Sequence, residues 1–291
     1  MNEKSLRVLE WPKVRELVAQ RASFSLSKEK ISEMLPHTDM GQVVHELALT
    51  TEGVRLLWKH GDAPFGGASD IRAVVGRAKL GGTLDPEQLL SVGDFLYCVG
   101  QLRKYLADEE GPLAEYLQRL AMVTGLREDI ERCIDHDGTV RDWASPELGR
   151  IRSKMRTLAN RIRDRLESLV HSAAMQKVLQ EAIITVRNGR YVVPVKSEYR
   201  SRFPGIVHDQ SGSGATLFME PAFAVELNND LAVAAQEEQA EVERILKRLS
   251  LTVGEHSQEL IDSLEAVTEL DCIFARARFS RAIDGVEPEI N

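Results

Sequence analysis

Apolar residues recur every three or four positions through most of this chain, and every second position in one short stretch only. "EWPKVRELVAQRA" predicts a helix with Pro12 near its start and Val14, Leu17 and Val18 on one face. The first 35 residues read as short helices, closed by Pro36. "DMGQVVHELALTTEGVRLLWKHG" predicts a longer helix, with Val43, Leu47, Val54, Leu57 and Trp58 at helical spacing and Gly61 as its stop. Another opens at Asp85-Pro86 and turns Leu89, Val92, Leu96, Val99 and Leu102 inward. Helical patterns also cover about 112–122 and "GLREDIERCI", so residues 1–140 read as a helical domain.

Asp137-Gly138 is a turn signal, and Ser145 followed by Pro146 has the form of an N-cap and first helical residue. From there Ile151, Met155, Leu158, Ile162, Leu166 and Leu169 keep a spacing of three or four. This pattern predicts a helix running to about residue 182, roughly 50 Å long at ~1.5 Å per residue. The period then becomes two. "IITVRNGRYVVPV" carries Asn188-Gly189 between two branched-apolar runs, a strong hairpin signal. Pro194 has no amide hydrogen, which predicts an edge strand. "GIVHDQSGSGATLFM" predicts a second hairpin with Ser211–Gly214 at its tip, closed by Pro221. Helical spacing resumes from about Ala222 to Ile283, with "QEEQAEVERILKRL" rich in i,i+4 charge pairs.

The expected fold is therefore mainly α. A helical core domain (1–140) leads into an ascending helix (141–182), a small β region (183–221) and a returning helix (222–291). The two long helices form an antiparallel arm with the β region at its end.

Composition adds little until it is read locally. Hydrophobic residues make up 43%, charged residues 28% and aromatics 5%, which suits long helices in a soluble protein. Net charge is −8, which alone argues against a polyanionic partner. Residues 150–202, however, hold 13 Lys and Arg against 4 Asp and Glu, while residues 220–291 hold 6 against 16. Local charge sets the potential a polyanion meets. Cys98, Cys133 and Cys272 show no metal or disulfide spacing, as expected in a reducing compartment. No signal core or long apolar run appears, so the expected location is cytoplasmic, away from membrane.

The glycines of "GIVHDQSGSGATLFMEP" invite a nucleotide-binding reading. A phosphate-binding loop needs a Lys beside a Ser or Thr ahead of a helix. Here Gly212 and Gly214 have no such Lys and precede a strand pattern, so the expected role is a β-turn. His208 and Asp209 are adjacent and, as strand neighbours, face opposite ways, so no catalytic dyad is expected. No HExxH, EF-hand or GxSxG run occurs, and neither catalytic nor metal-ligating residues are expected.

Two basic sets remain. Arg150, Arg152, Lys154, Arg156, Arg161, Arg163 and Arg165 lie on the ascending helix; they either pair with the acidic returning helix or contact a ligand, with Arg152, Arg156 and Arg163 as the contact candidates. Arg187, Arg190, Lys196, Arg200 and Arg202 lie in the β region with few acids nearby, as expected for phosphate contacts. His208, Gln210, Ser211 and Ser213 could add polar contacts, or serve only the turn.

The stretch "VRNGRYVVPVKSEYRSRFPGIVHDQSGSGATLFMEP", with "DWASPELGRIR" before it and "ELDCIFARARFS" after it, resembles the second bacterial MutS family, across essentially the whole chain. The resemblance implies the family's N-terminal core, paired lever helices and β clamp, and a clamp that touches nucleic-acid backbone without reading sequence. It also implies a parent protein with an ATPase domain, using ATP and Mg, and a C-terminal nuclease domain. The chain contains no GxxxxGK[ST] and reads as an N-terminal fragment with no cofactor of its own. Three roles follow as expectations: a DNA-engaging clamp in recombination control or repair, a ribosome- or rRNA-binding module in rescue of collided ribosomes, and a structural arm of a homodimer.

Overall fold

Asp85 accepts a hydrogen bond from the Gln88 amide at 2.8 Å, and Gln88 Oε1 accepts one from the Asp85 amide at 3.2 Å. This capping box satisfies orphan donors at the start of a long helix, and Leu89, Val92, Leu96, Val99 and Leu102 on that helix are all buried as its spacing predicts. The computed structural model describes residues 3–290. They form α1 (Glu3–Val8), α2 (Trp11–Ala19), α3 (Ser25–Glu33), α4 (Met40–His60), α5 (Arg72–Lys79), α6 (Pro86–Leu106), α7 (Tyr116–Arg119), α8 (Leu126–Cys133), α9 (Pro146–Val170), β1 (Thr185–Arg187), β2 (Arg190–Lys196), β3 (Gly205–Gln210), β4 (Thr216–Pro221), α10 (Val225–Glu255) and α11 (Ser257–Ala282). The chain is mainly helical with one small antiparallel sheet. It divides into two compact units, Met1–Val140 with Leu246–Asn291, and Arg141–Ile245.

In the first unit α11 is buried around most of its circumference, through Leu260, Leu264, Val267, Leu270, Ile273, Phe274 and Ala277. A helix apolar on every side belongs inside a bundle. Phe274 meets Phe65 and Tyr105 edge to face at 5.9 and 5.8 Å. Asp271, fully buried on α11, accepts from the Ser23 amide at 2.7 Å and so fixes the entry to α3. On α4, Leu57 is buried and Val43, Leu47 and Val54 are half-buried as the spacing predicts, whereas Trp58 is 75% exposed; Leu49, Gly53 and Leu56 complete the buried face. At Gly53 a Cβ would stand 3.1 Å from the Ala277 side chain, so the missing side chain lets α11 approach. Residues 112–122 are not one helix but a 3-10 turn (Pro112–Glu115) followed by short α7. The Arg103 guanidinium binds the Leu117 and Leu120 carbonyls and holds that segment open.

Two helix boundaries also differ from the sequence pattern. The reading from Ala222 to Ile283 as one helix is interrupted at His256, which separates α10 from α11. And α9 ends at Val170, twelve residues short of the expected end. The segment after it is drawn to the sheet: Lys196 donates to the Val178 carbonyl at 3.0 Å, and the Gln180 amide to the Pro194 carbonyl at 2.9 Å. Pairing with β2 thus outweighs the helix propensity of "SAAMQKVLQEA".

The sheet of the second unit has the order β1-β2-β4-β3, every neighbouring pair antiparallel. Both hairpins fall where the sequence places them. Asn188 (φ 52°) and Gly189 (φ 74°) close the first, with Arg187 opposite Arg190. Pro194 is not on an edge strand, because β2 lies between β1 and β4. Its donor-less nitrogen is on the side where β1 has already ended, and its carbonyl there takes the Gln180 bond. Ile162, Leu166 and Val170 of α9 pack with Val193, Val195, Leu217 and Met219 of the sheet and with Phe203 of the β2–β3 crossover.

Candidate nucleic-acid interface

Glu220 of β4 is fully buried, and the sheet is organised around its charge. Arg190 Nη1 donates to both of its oxygens at 2.9 and 3.2 Å, His208 Nε2 lies 2.6 Å from Oε2, and Asn228 Nδ2 donates to Oε1 at 2.7 Å. A carboxylate out of water needs partners of this kind. His208 reaches it because the β3–β4 register slips between Val207 and Asp209, leaving His208 as the extra residue of a β-bulge. Asn228 has a further task. The register that sets Val193 opposite Met219 brings Tyr191 opposite Pro221, which has no amide hydrogen, and Tyr191 takes its bonds from the Asn228 side chain instead: Oδ1 accepts from the Tyr191 amide and Nδ2 donates to the Tyr191 carbonyl.

The structure therefore sorts the candidate residues. Arg190 is committed to Glu220 and, through Nη2, to Asn229 Oδ1 at 2.6 Å. His208 is committed to Glu220. Arg187 stacks 4.2 Å above the Phe218 ring, and its Nε lies 3.2 Å from Asp209. Lys196 Nζ donates to the Lys177 carbonyl at 3.1 Å. Gln210 Nε2 reaches the Gly214 carbonyl, and Ser211 Oγ accepts from the Thr216 amide and lies 3.4 Å from Ser213 Oγ. Arg200 and Arg202 differ from all of these: both are exposed, and neither has a side-chain hydrogen bond or ion pair among the described residues. They lie between Tyr199 and Phe203, which pack against the core and anchor the crossover.

The tip of the second hairpin is a turn closed by its own backbone. The Gly214 amide donates to the Ser211 carbonyl and the Ser211 amide to the Thr216 carbonyl, and a strand follows, not a helix. Gly214 has φ 74°, the left-handed conformation the turn requires.

On α9 the basic residues fall into two groups. Those nearer the start are neutralised: Arg150 by Glu147, Arg152 by Asp142 and Glu238, Lys154 by Glu237, and Arg156 by Asp142. The two arginines hold the Asp142 carboxyl below the usual range. Hydrogen bonding from Arg244 likewise lowers Glu241 to about 2, with Ser145 as its second donor. Of the three contact candidates on this helix, Arg152 and Arg156 thus serve ion pairs, and Arg163 alone is unpaired and exposed. Sequence reading passed over Glu220, Asn228 and Asn229. The available signal was a strand ending in proline, with two asparagines shortly after it.

Among the described residues no group of three or more His, Cys, Asp or Glu is placed to hold a metal ion, and no helix is long and apolar enough to cross a membrane.

A mainly helical chain with a four-stranded sheet and this basic segment has relatives among MutS-type proteins. It is 43% identical over 297 residues to the MutS2 endonuclease of Geobacillus sp. (strain WCH70), 45% over 297 to that of Geobacillus thermodenitrificans, and 46% over 293 to that of Symbiobacterium thermophilum. Each match takes in 100% of this chain but only 37–38% of the relative. The similarity therefore runs through the whole of this chain and a little over a third of each relative's length. No protein-family model matches the chain.

Proposed function

We propose that the sheet-bearing unit is a clamp that binds DNA through its backbone phosphates, without reading sequence, as a non-catalytic module of a MutS-type ATPase in recombination control or repair. One observation carries the reading: Arg200 and Arg202 are exposed and unpaired in a unit whose other clamp cations are mostly committed. An unpaired guanidinium is a ready phosphate donor, and phosphate contacts position a protein without specifying bases. Kinship with endonucleases of the MutS2 name favours a nucleic-acid partner. In this proposal α9 and α10 act as levers, two copies act together, and ATP with Mg is handled by parts of the relatives that this chain does not span.

Binding of the purified chain to two unrelated duplexes and to ribosomes tests the reading. Equal affinity for both duplexes, weakening steeply with salt, is the expected result. Tight binding to ribosomes with none to DNA would move the phosphate contact to rRNA. Binding to neither, with concentration-dependent dimerisation, would leave a structural arm.

A further inference from the structure

Arg161, Arg163 and Arg165 are exposed, and none has an ion pair or side-chain hydrogen bond among the described residues. Their neighbours Ile162 and Leu166 are fully buried in the core beneath the sheet. These arginines thus sit on the very turns that seat the sheet. The crossover repeats the arrangement: Tyr199 and Phe203 pack against the same core, and Arg200 and Arg202 between them are exposed. Two elements with anchors in one core therefore each present unpaired arginines to solvent.

The two halves of α9 differ in their pairing with the facing helix. Lys154 and Arg152 meet Glu237 and Glu238, from the acidic run of α10. Nearer the sheet, α10 turns Asn228 and Asn229 to the strands, where they serve Tyr191, Glu220 and Arg190. Asp164 and Glu167 of α9 and Glu226 and Asp230 of α10 lie along the same stretch, yet none forms an ion pair with the later arginines among the described residues.

We infer that the phosphate-contact surface continues from the crossover onto the C-terminal half of α9, and that a DNA duplex lies along this helix through Arg161 and Arg165, with Arg163 on its other flank. The inference rests on the clamp reading. Arg161 and Arg165 are one turn apart on one face, about 6 Å along the axis at ~1.5 Å per residue. Phosphates along one DNA strand advance about 3.4 Å per nucleotide, so the pair spans about two phosphates. Guanidinium forks suit phosphate oxygens.

The test compares R161A/R165A with K154A in salt titrations of binding to a duplex, with circular dichroism to confirm folding. Each phosphate contact contributes about 0.9 to the slope of log affinity against log salt. R161A/R165A is expected to lower the slope by up to about 2, whereas K154A, whose ammonium already faces Glu237, leaves it unchanged. An unchanged slope in R161A/R165A, with wild-type protein still binding, would overturn this inference and leave the clamp reading standing. Absence of duplex binding by the wild type would overturn both. Loss of ribosome binding by the variant, with duplex binding intact, would contradict DNA as the partner on this surface.

Discussion

Asn228 exchanges two hydrogen bonds with the backbone of Tyr191, accepting from its amide at 3.1 Å and donating to its carbonyl at 3.2 Å. A side-chain amide on the first turn of α10 thereby stands in for a strand residue. Its other N–H binds buried Glu220, so one side chain joins helix, sheet and buried charge.

Replacing Asn228 with Ala strands the Tyr191 backbone groups and removes one donor from Glu220. Buried polar groups without partners cost about 1–3 kcal/mol each. N228A is expected to lose about 2–4 kcal/mol on that scale, and N228D more, because a second carboxylate then faces Glu220. Urea midpoints check this; a loss below about 1 kcal/mol would mean that water replaces the amide.

Acid should weaken the first unit through Glu109. Hydrogen bonds from Lys59, Arg55 and His60 hold its carboxyl down from 4.5 to about 2. A depressed folded-state pKa gives stability that is full above the ordinary value and fades as pH falls from about 4.5 toward 2. The thermal midpoint should drop across that window, and E109Q should be less stable at neutral pH yet lose less on acidification. Equal acid sensitivity in E109Q would remove Glu109 from the account.

Gly254 near the end of α10 marks a close approach within the first unit. A Cβ there would stand 2.6 Å from the Ala78 carbonyl oxygen. G254A is expected to cost about 1–3 kcal/mol through overpacking, read from the same urea midpoints. The substitution G76A, where nothing lies within 4 Å of the added carbon, provides a mild comparison.

Local signals made parts of this structure legible. Asn188-Gly189 determines its hairpin within four residues, and Asp85-Pro86 with Gln88 begins α6. Long-range demands were invisible. The segment after Val170 is helix-prone by itself and opens because β2 needs partners for Pro194 and Lys196. Gly53 adds nothing to a hydrophobic pattern, yet its missing side chain lets α4 and α11 approach closely. In the candidate interface, charge counting picked out the basic segment. It could not separate committed from free cations, because Glu220 recruits Arg190 and His208 from strands distant in sequence.

The clamp reading stands most directly on Arg200 and Arg202. The deciding measurement is the salt dependence of duplex binding by wild-type protein and by R200A/R202A, on two unrelated sequences. At about 0.9 per phosphate, the double variant should lower the log–log slope by up to about 2 and weaken both duplexes equally. Unchanged slope and affinity in the folded double variant would contradict phosphate contact by these two arginines, and with it the central claim.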